Sequence, residues 1–312
     1  MAEQISGLWA AMATKLHADA SLDIPGTVRH GQWLLANGCD GLVPFGTTGE
    51  GPSFSGAERL ATTEAFLKAG IAADRIALGT GTASIPDTVE ITRGMLALGV
   101  TKAMVLPPFY FRDVDAQGIE DAFAAIIDGV GNANLRVTAY HIPQVSGVPV
   151  PPAVLGSLRR RFGAIVAGVK DSSGDFDNTL AFLREAPGVG VLTGDETAIA
   201  KLLDAGGVGT ICGMVNLVPH LVRAMFDRST GGHAGTEAMK AACACLHAPF
   251  FGVLKATLAA QQNDPAWLTL RAPLRAVDAA LGVRAAAGMA AISAAKAATT
   301  AAKVATTAAK AA

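Results

Sequence analysis

From near its start to about residue 226, the chain repeats one pattern: a short apolar run, then a stretch long enough for a helix. The runs are "LWAAM", "GLVPF", "RIALG", "KAMVL", "LRVTAY", "AIVAGVK", "GVLTG" and "VGTIC". None alternates cleanly between polar and apolar residues, which is the pattern of strands covered on both faces. Between them lie amphipathic segments such as "GTVRHGQWLLANG", "SGAERLATTEAFLKAG" and "SIPDTVEITRGMLALG". Several close on glycine, the residue that best tolerates a left-handed helix end. An uninterrupted series of eight strand–helix units predicts an α/β chain closed into a (β/α)8 TIM barrel. An open doubly wound sheet is the competing arrangement, but no GxGxxG stretch opens the first unit.

A length of 312 residues suits one such barrel with additions, and only 16% of the chain is charged, so a large core is available. The formal net charge of −1 gives no reason to expect nucleic acid or an anionic membrane as a partner. Cys39, Cys212, Cys243 and Cys245 form no CxxC pair and have no histidines at zinc spacing, so they read as thiols in a reducing compartment. The N-terminus lacks a basic segment followed by a long apolar core, and no uncharged apolar run approaches the ~20 residues of a membrane span. A cytoplasmic location is expected. The barrel is assigned to residues 1–226, with a helical appendage over 227–284. Residues 285–312 form a last stretch in which "AAKAATTAAKVATTAAKAA", from 294 on, repeats alanine, threonine and lysine with a period of seven and carries no bulky apolar seam. They are expected to be a frayed helix or disordered tail.

In such a barrel, chemistry belongs at the C-terminal ends of the strands. Those ends carry "PFGTTGEG", "PPFYF", "YHIPQ", "VKDSSGD", "TGDE" and "CGMVN". Lys170 ends an apolar run, so its stem should lie in the barrel interior. Burial there disfavours the ammonium, and the neutral amine is the form that attacks a carbonyl. The plainer reading is a lysine that reaches solvent or pairs with Asp171. Tyr140 ends the neighbouring run and can serve as a proton shuttle; the plainer reading is a buried phenol bonded to a backbone carbonyl. "GTTGE" offers Thr47, Thr48 and closely spaced N–H groups suited to a carboxylate. His141 reads as a packed, hydrogen-bonded histidine. Asp195 and Glu196 can hold substrate hydroxyls or cap the helix that follows. No histidine and carboxylate cluster has metal-ligand spacing, and no metal is expected.

Taken together, "GTTGE", "PPFYF", "YHIPQVSG", "GVKDSSGD", "GDE" and "GTICGMVN" occur in an order and spacing that resemble the N-acetylneuraminate lyase and dihydrodipicolinate synthase superfamily over roughly residues 5 to 284. The resemblance implies a class I, pyruvate-handling aldolase. Lys170 would form an imine with pyruvate or another 2-oxo acid, and Tyr140 would move protons to and from the adduct. Thr47 and Thr48 would position the carboxylate and join the hydroxyl relay. Tyr110 would be supplied across a tight dimer interface, within a dimer or tetramer. Gly194 and Ile211 would line the pyruvate pocket, and Ser172 would lie near the distal part of longer substrates. No cofactor is implied beyond the covalent lysine imine.

One position departs from the synthase pattern. Dihydrodipicolinate synthases carry an arginine two residues after the proline of the tyrosine motif; here that position is Val145. Valine has no donors and cannot replace a bidentate guanidinium on a carboxylate. The "IPxxSGV" form looks more like the sialic acid lyase and 2-keto-3-deoxy sugar acid branches. The expected activity is therefore cleavage or condensation of a 2-keto-3-deoxy sugar acid, with pyruvate as the imine-bound fragment and an aldehyde as its partner. Dihydrodipicolinate synthase activity is disfavoured by Val145. A hydro-lyase or deaminase on the same imine stays open and would release water or ammonia in place of an aldehyde. An idle barrel serving as a binding protein is the remaining alternative.

Overall fold

The computed structural model of the protein describes residues 4–226 and 235–311. Its strands are β1 (Gly7–Ala11), β2 (Gly41–Val43), β3 (Ala77–Gly79), β4 (Lys102–Val105), β5 (Arg136–His141), β6 (Val166–Asp171), β7 (Gly190–Thr193) and β8 (Gly209–Cys212). They form one parallel sheet in the order β2-β1-β8-β7-β6-β5-β4-β3. Its two end strands meet through a parallel bridge between Leu42 and Ile76, so the sheet curls into a nearly closed barrel. Each apolar run of the sequence coincides with one strand, and the expected (β/α)8 fold is the observed one.

The helices around the sheet are α1 (Ile24–Ala36), α2 (Gly56–Lys68), α3 (Ile85–Ala97), α4 (Ala116–Val130), α5 (Pro143–Ser146), α6 (Pro152–Phe162), α7 (Phe176–Glu185), α8 (Ile199–Asp204) and α9 (Pro219–Arg223). Local sequence sets several of their starts. Ser55 and Glu58 form a reciprocal capping box at α2, and the Asp23, Ser84, Asp115 and Asp175 side chains cap α1, α3, α4 and α7.

Successive side chains of a strand point to opposite faces, and two concentric cores result. Trp9, Val43, Met104, Tyr140, Leu192 and Ile211 fill the barrel interior. Leu8, Leu42, Leu78, Val105, Val169 and Val191 face outward into a larger core shared with the helices. The same alternation sorts the functional candidates. Across β5 and β6, Tyr140 stands opposite Lys170 and His141 opposite Asp171. The first pair lies inside the barrel and the second under α7, where the His141 ring meets Phe182 edge-on at 5.5 Å.

Three further helices complete the described chain: α10 (Thr236–Ala244), α11 (Phe250–Gln262) and α12 (Ala279–Ala311). α11 packs so closely along the start of α12 that a side chain at Gly282 would meet the Ala256 carbonyl. Met289 is fully buried. The backbone of residues 285–311, expected as a frayed helix or disordered tail, continues α12 without a break. The expected boundary near residue 227 falls in 227–234, outside the described residues. No described helix is long and apolar enough to cross a membrane.

Candidate active site

Lys170 and Tyr140 are nearly fully buried, and the Lys170 Nζ lies 4.2 Å from the centroid of the Tyr140 ring. The phenol oxygen shares a hydrogen bond of 3.1 Å with Thr47 Oγ1. It is a side-chain hydroxyl, not a backbone carbonyl, that holds Tyr140. Nor does Lys170 pair with its neighbour. Asp171 accepts hydrogen bonds from the Ser173 N–H (2.8 Å), the Thr179 hydroxyl (2.7 Å) and the Asn178 amide (3.1 Å). Among the described residues, no carboxylate stands within ion-pair distance of Lys170. A buried amine without a counter-ion, resting on a phenol held by a threonine, is an arrangement suited to nucleophilic and proton-transfer chemistry.

Space around the lysine is kept open by glycine. A Cβ on Gly194 would fall 1.9 Å from Ser172 Oγ and 3.1 Å from Lys170 Cε, and the Gly194 N–H donates to the Asp171 carbonyl at 2.7 Å. The end of β7 thus sits directly against the lysine stem and Ser172. Ile211 is buried in the interior layer that also holds Tyr140. Thr48 lies against Gly213 at the end of β8, where a Cβ would come within 3.2 Å of its hydroxyl.

The loop carrying the threonines is bracketed by two non-glycine residues with left-handed backbone, Phe45 (φ 57°) and Glu50 (φ 56°). Such conformations cost on the order of 1–3 kcal/mol each and persist where the surroundings over-determine them. One constraint is a buried ion pair. Glu50 Oε1 accepts from Lys255 Nζ of α11 at 2.6 Å, and the same ammonium donates to the Thr269 carbonyl at 2.9 Å. Burial pulls the Lys255 ammonium below its ordinary range, opposed by the Glu50 charge. Another is Arg59 of α2, which donates to the Gly51 and Gly79 carbonyls at 2.8 and 2.9 Å. Sequence reasoning missed both; the available signal was a lone lysine in the apolar run "FGVLKATLAA" and an arginine on the buried face of α2.

Asp195 and Glu196 serve the scaffold. Asp195 accepts from the N–H and hydroxyl of Thr197 at 2.8 and 2.7 Å, which is the capping reading. Glu196 Oε1 accepts from the Gly213 and Met214 N–H groups, both at 2.9 Å, and burial raises its pKa. His141 behaves as a packed histidine: its Nδ1 accepts from the Val150 N–H at 2.9 Å, and burial lowers its pKa. Tyr110 is not brought to the lysine within this chain. It is 77% exposed, edge-on to Phe111.

Beside the threonine loop opens a cavity of about 260 Å³. Thr47 and Tyr140 line one part of it, and Val145, 57% exposed, lines another. Phe251, Pro273 and Leu274 complete it from the C-terminal segment, which no motif indicated.

The geometry agrees with what the chain is similar to. A family model described as the dihydrodipicolinate synthetase family matches residues 4–280. An uncharacterized DapA-like lyase of Chloroflexus aurantiacus is 37% identical over 225 residues, covering 71% of this chain and 74% of that protein. A 4-hydroxy-tetrahydrodipicolinate synthase of Moorella thermoacetica is 34% identical over 249 residues, covering 79% of this chain and 80% of that protein. Among solved structures, dihydrodipicolinate synthase from Agrobacterium tumefaciens superimposes with a TM-score of 0.86 at 32% identity, covering 92% of this chain and 99% of that one. With its motifs on the strand ends of a (β/α)8 barrel and the family model spanning barrel and appendage alike, the chain belongs to the dihydrodipicolinate synthetase family of lyases.

Proposed function

We propose that the protein is a lysine-imine lyase that cleaves or forms the C3–C4 bond of a 2-oxo acid, with pyruvate as the fragment held on Lys170. The observation that carries this reading is the buried, unpaired Lys170 amine on the ring of Tyr140, whose hydroxyl is bonded to Thr47. Lys170 Nζ attacks the C2 carbonyl. Tyr140, relayed through Thr47, supplies the proton with which the carbinolamine loses water. The protonated imine then withdraws electrons as the C3–C4 bond breaks and Tyr140, having given up its proton, takes the one on the C4 hydroxyl, leaving an enamine of pyruvate and releasing an aldehyde. Protonation at C3 and hydrolysis return pyruvate and the free amine. The imine is its own electron sink, so the sequence of steps calls on no cofactor or metal. Thr47, Thr48 and the N–H groups of their loop are assigned the carboxylate. The exposure of Tyr110 leaves its phenol available to a second copy of the chain, as the family resemblance implies for a dimer or tetramer.

Val145 argues against aspartate semialdehyde as the aldehyde, since nothing at that position can pair with its carboxylate. Sugar-acid cleavage remains the branch nearest in motif. Asp195 Oδ1 and Glu196 Oε1 are held by Thr197, Gly213 and Met214, so only the second oxygen of each carboxylate could serve a hydroxylated tail. Borohydride reduction in the presence of pyruvate, read by intact mass and peptide mapping, tests the imine. A pyruvyl adduct on Lys170, lost in Lys170→Ala, is expected; a folded protein that traps nothing would sink the mechanism.

A further inference from the structure

The cavity that begins at Thr47 and Tyr140 is the natural place for the second fragment of the reaction, because it touches the two groups assigned to proton transfer. Its walls are not those of a sugar site. Met104, Leu106, Phe109, Ile142, Val145 and Phe251 face it. Most of its few polar side-chain atoms are already engaged. Thr47 and Tyr140 hold each other at the reacting end. The Ser146 hydroxyl closes on Ile142 and Val148 inside its own turn, and Glu50 Oε1 is paired with Lys255. That leaves the Ser53 hydroxyl and Glu50 Oε2, a buried carboxylate oxygen with no partner among the described residues. A polyhydroxylated tail placed here would give up several hydrogen bonds to water and regain at most two from side chains. Each stranded hydroxyl lowers apparent affinity by about tenfold or more.

Size points the same way. A cavity of ~150 Å³ lined by aliphatic and aromatic side chains stays dry and takes up benzene. At about 260 Å³, this one has room for a six-membered ring and the short chain that joins it to the reacting carbonyl.

Resting on the lysine-imine reading above, we infer that the aldehyde fragment has an apolar body of about ring size, aromatic or branched aliphatic, and that this cavity is its binding site. In the condensation direction, the enamine carbon C3 of Lys170-bound pyruvate attacks the aldehyde carbon. The C3–C4 bond forms as the aldehyde oxygen takes a proton from Tyr140, and one water hydrolyses the imine. Pyruvate and R–CHO thus give a 4-hydroxy-2-oxo acid bearing R at C4, with no oxidant or reductant.

The test compares kcat/KM for benzaldehyde and for D-glyceraldehyde, each with pyruvate, in the full chain. Alongside it run borohydride trapping of pyruvate alone and calorimetry of benzyl alcohol, a probe of the cavity that needs no imine. Benzaldehyde favoured by at least tenfold, with measurable binding of benzyl alcohol, is the expected result. Val145→Arg, which puts a guanidinium on the cavity wall at a half-exposed position, should weaken both by about tenfold. An adduct on Lys170 with D-glyceraldehyde preferred would overturn this inference and leave the imine mechanism standing. Absence of benzyl alcohol binding would overturn it as well. No adduct would remove the imine mechanism itself, and with it the aldehyde assignment.

Discussion

Tyr140 meets its neighbours with two parts of its side chain that can be separated. The ring supports the amine at 4.2 Å, and the hydroxyl joins it to Thr47. Tyr140→Phe keeps the support and removes the relay. Its kcat should fall by ~10²–10⁴-fold, the usual range for a positioned proton donor, while pyruvate is still trapped on Lys170, only more slowly. Loss of trapping in that variant would mean that the phenol is needed for imine formation itself. Thr47→Val should mimic it more mildly, since the phenol oxygen then has no partner in the loop. Burial and pairing explain why this arrangement was legible in the sequence at all. A lysine and a tyrosine at the ends of adjacent apolar runs can be placed by strand alternation alone. Asp195 and Glu196 could not be sorted that way, because a carboxylate that caps a helix and one that holds a substrate have the same spacing.

The end of β7 makes its contribution without a side chain. Gly194→Ala would press a methyl group into Ser172 Oγ and Lys170 Cε. Overpacking of this kind costs about 1–3 kcal/mol, and the displaced lysine should lose imine-forming rate as well. Ser172→Gly removes the nearer obstacle, so adding it to Gly194→Ala should restore part of the stability. Thermal denaturation of the two single variants and the double variant measures that coupling, and strictly additive losses would contradict the contact. At this scale the sequence was most legible. The strands announce themselves by run length and the helices by their caps, because both signals are local. The ion pair between Glu50 and Lys255 joins positions 205 residues apart, and the Phe251 and Leu274 side of the cavity arrives from the appendage. No local pattern encodes either meeting.

At the scale of the whole molecule, several polar connections fasten the C-terminal segment to the barrel, Lys15 with Asp264 and Arg271 with Glu58 among them. Lys255 from α11 reaches Glu50 beside the threonine loop. Removing one partner strands a buried charge, so Lys255→Met should destabilise the protein by about 3–5 kcal/mol; Glu50→Gln combined with Lys255→Met should recover much of that. Another runs through His30, whose Nδ1 faces the Gln262 amide of α11 at 3.5 Å. Its Nε2 donates to Asn216 Oδ1 at 2.9 Å, and its ring meets Trp267 edge-on at 4.9 Å. Burial lowers its pKa from 6.5 to about 4. Between those values the unfolded chain binds the additional proton. Stability therefore falls as pH drops from about 6.5 towards 4, by on the order of 3 kcal/mol. Melting temperature followed over that range should show the decline, and His30→Gln should flatten it. The pairing of Tyr140 with Lys170 has a different kind of consequence. Their separation is fixed by the spacing of two hydrogen-bonded strands, whereas Leu106, Phe109, Phe251 and Leu274 of the cavity wall come from loops and the appendage. Under the proposed mechanism, the reaction could thus be moved to another protein only by moving the barrel. Its choice of aldehyde could be rewritten piecemeal, one loop graft at a time, without touching the strands that carry Tyr140 and Lys170.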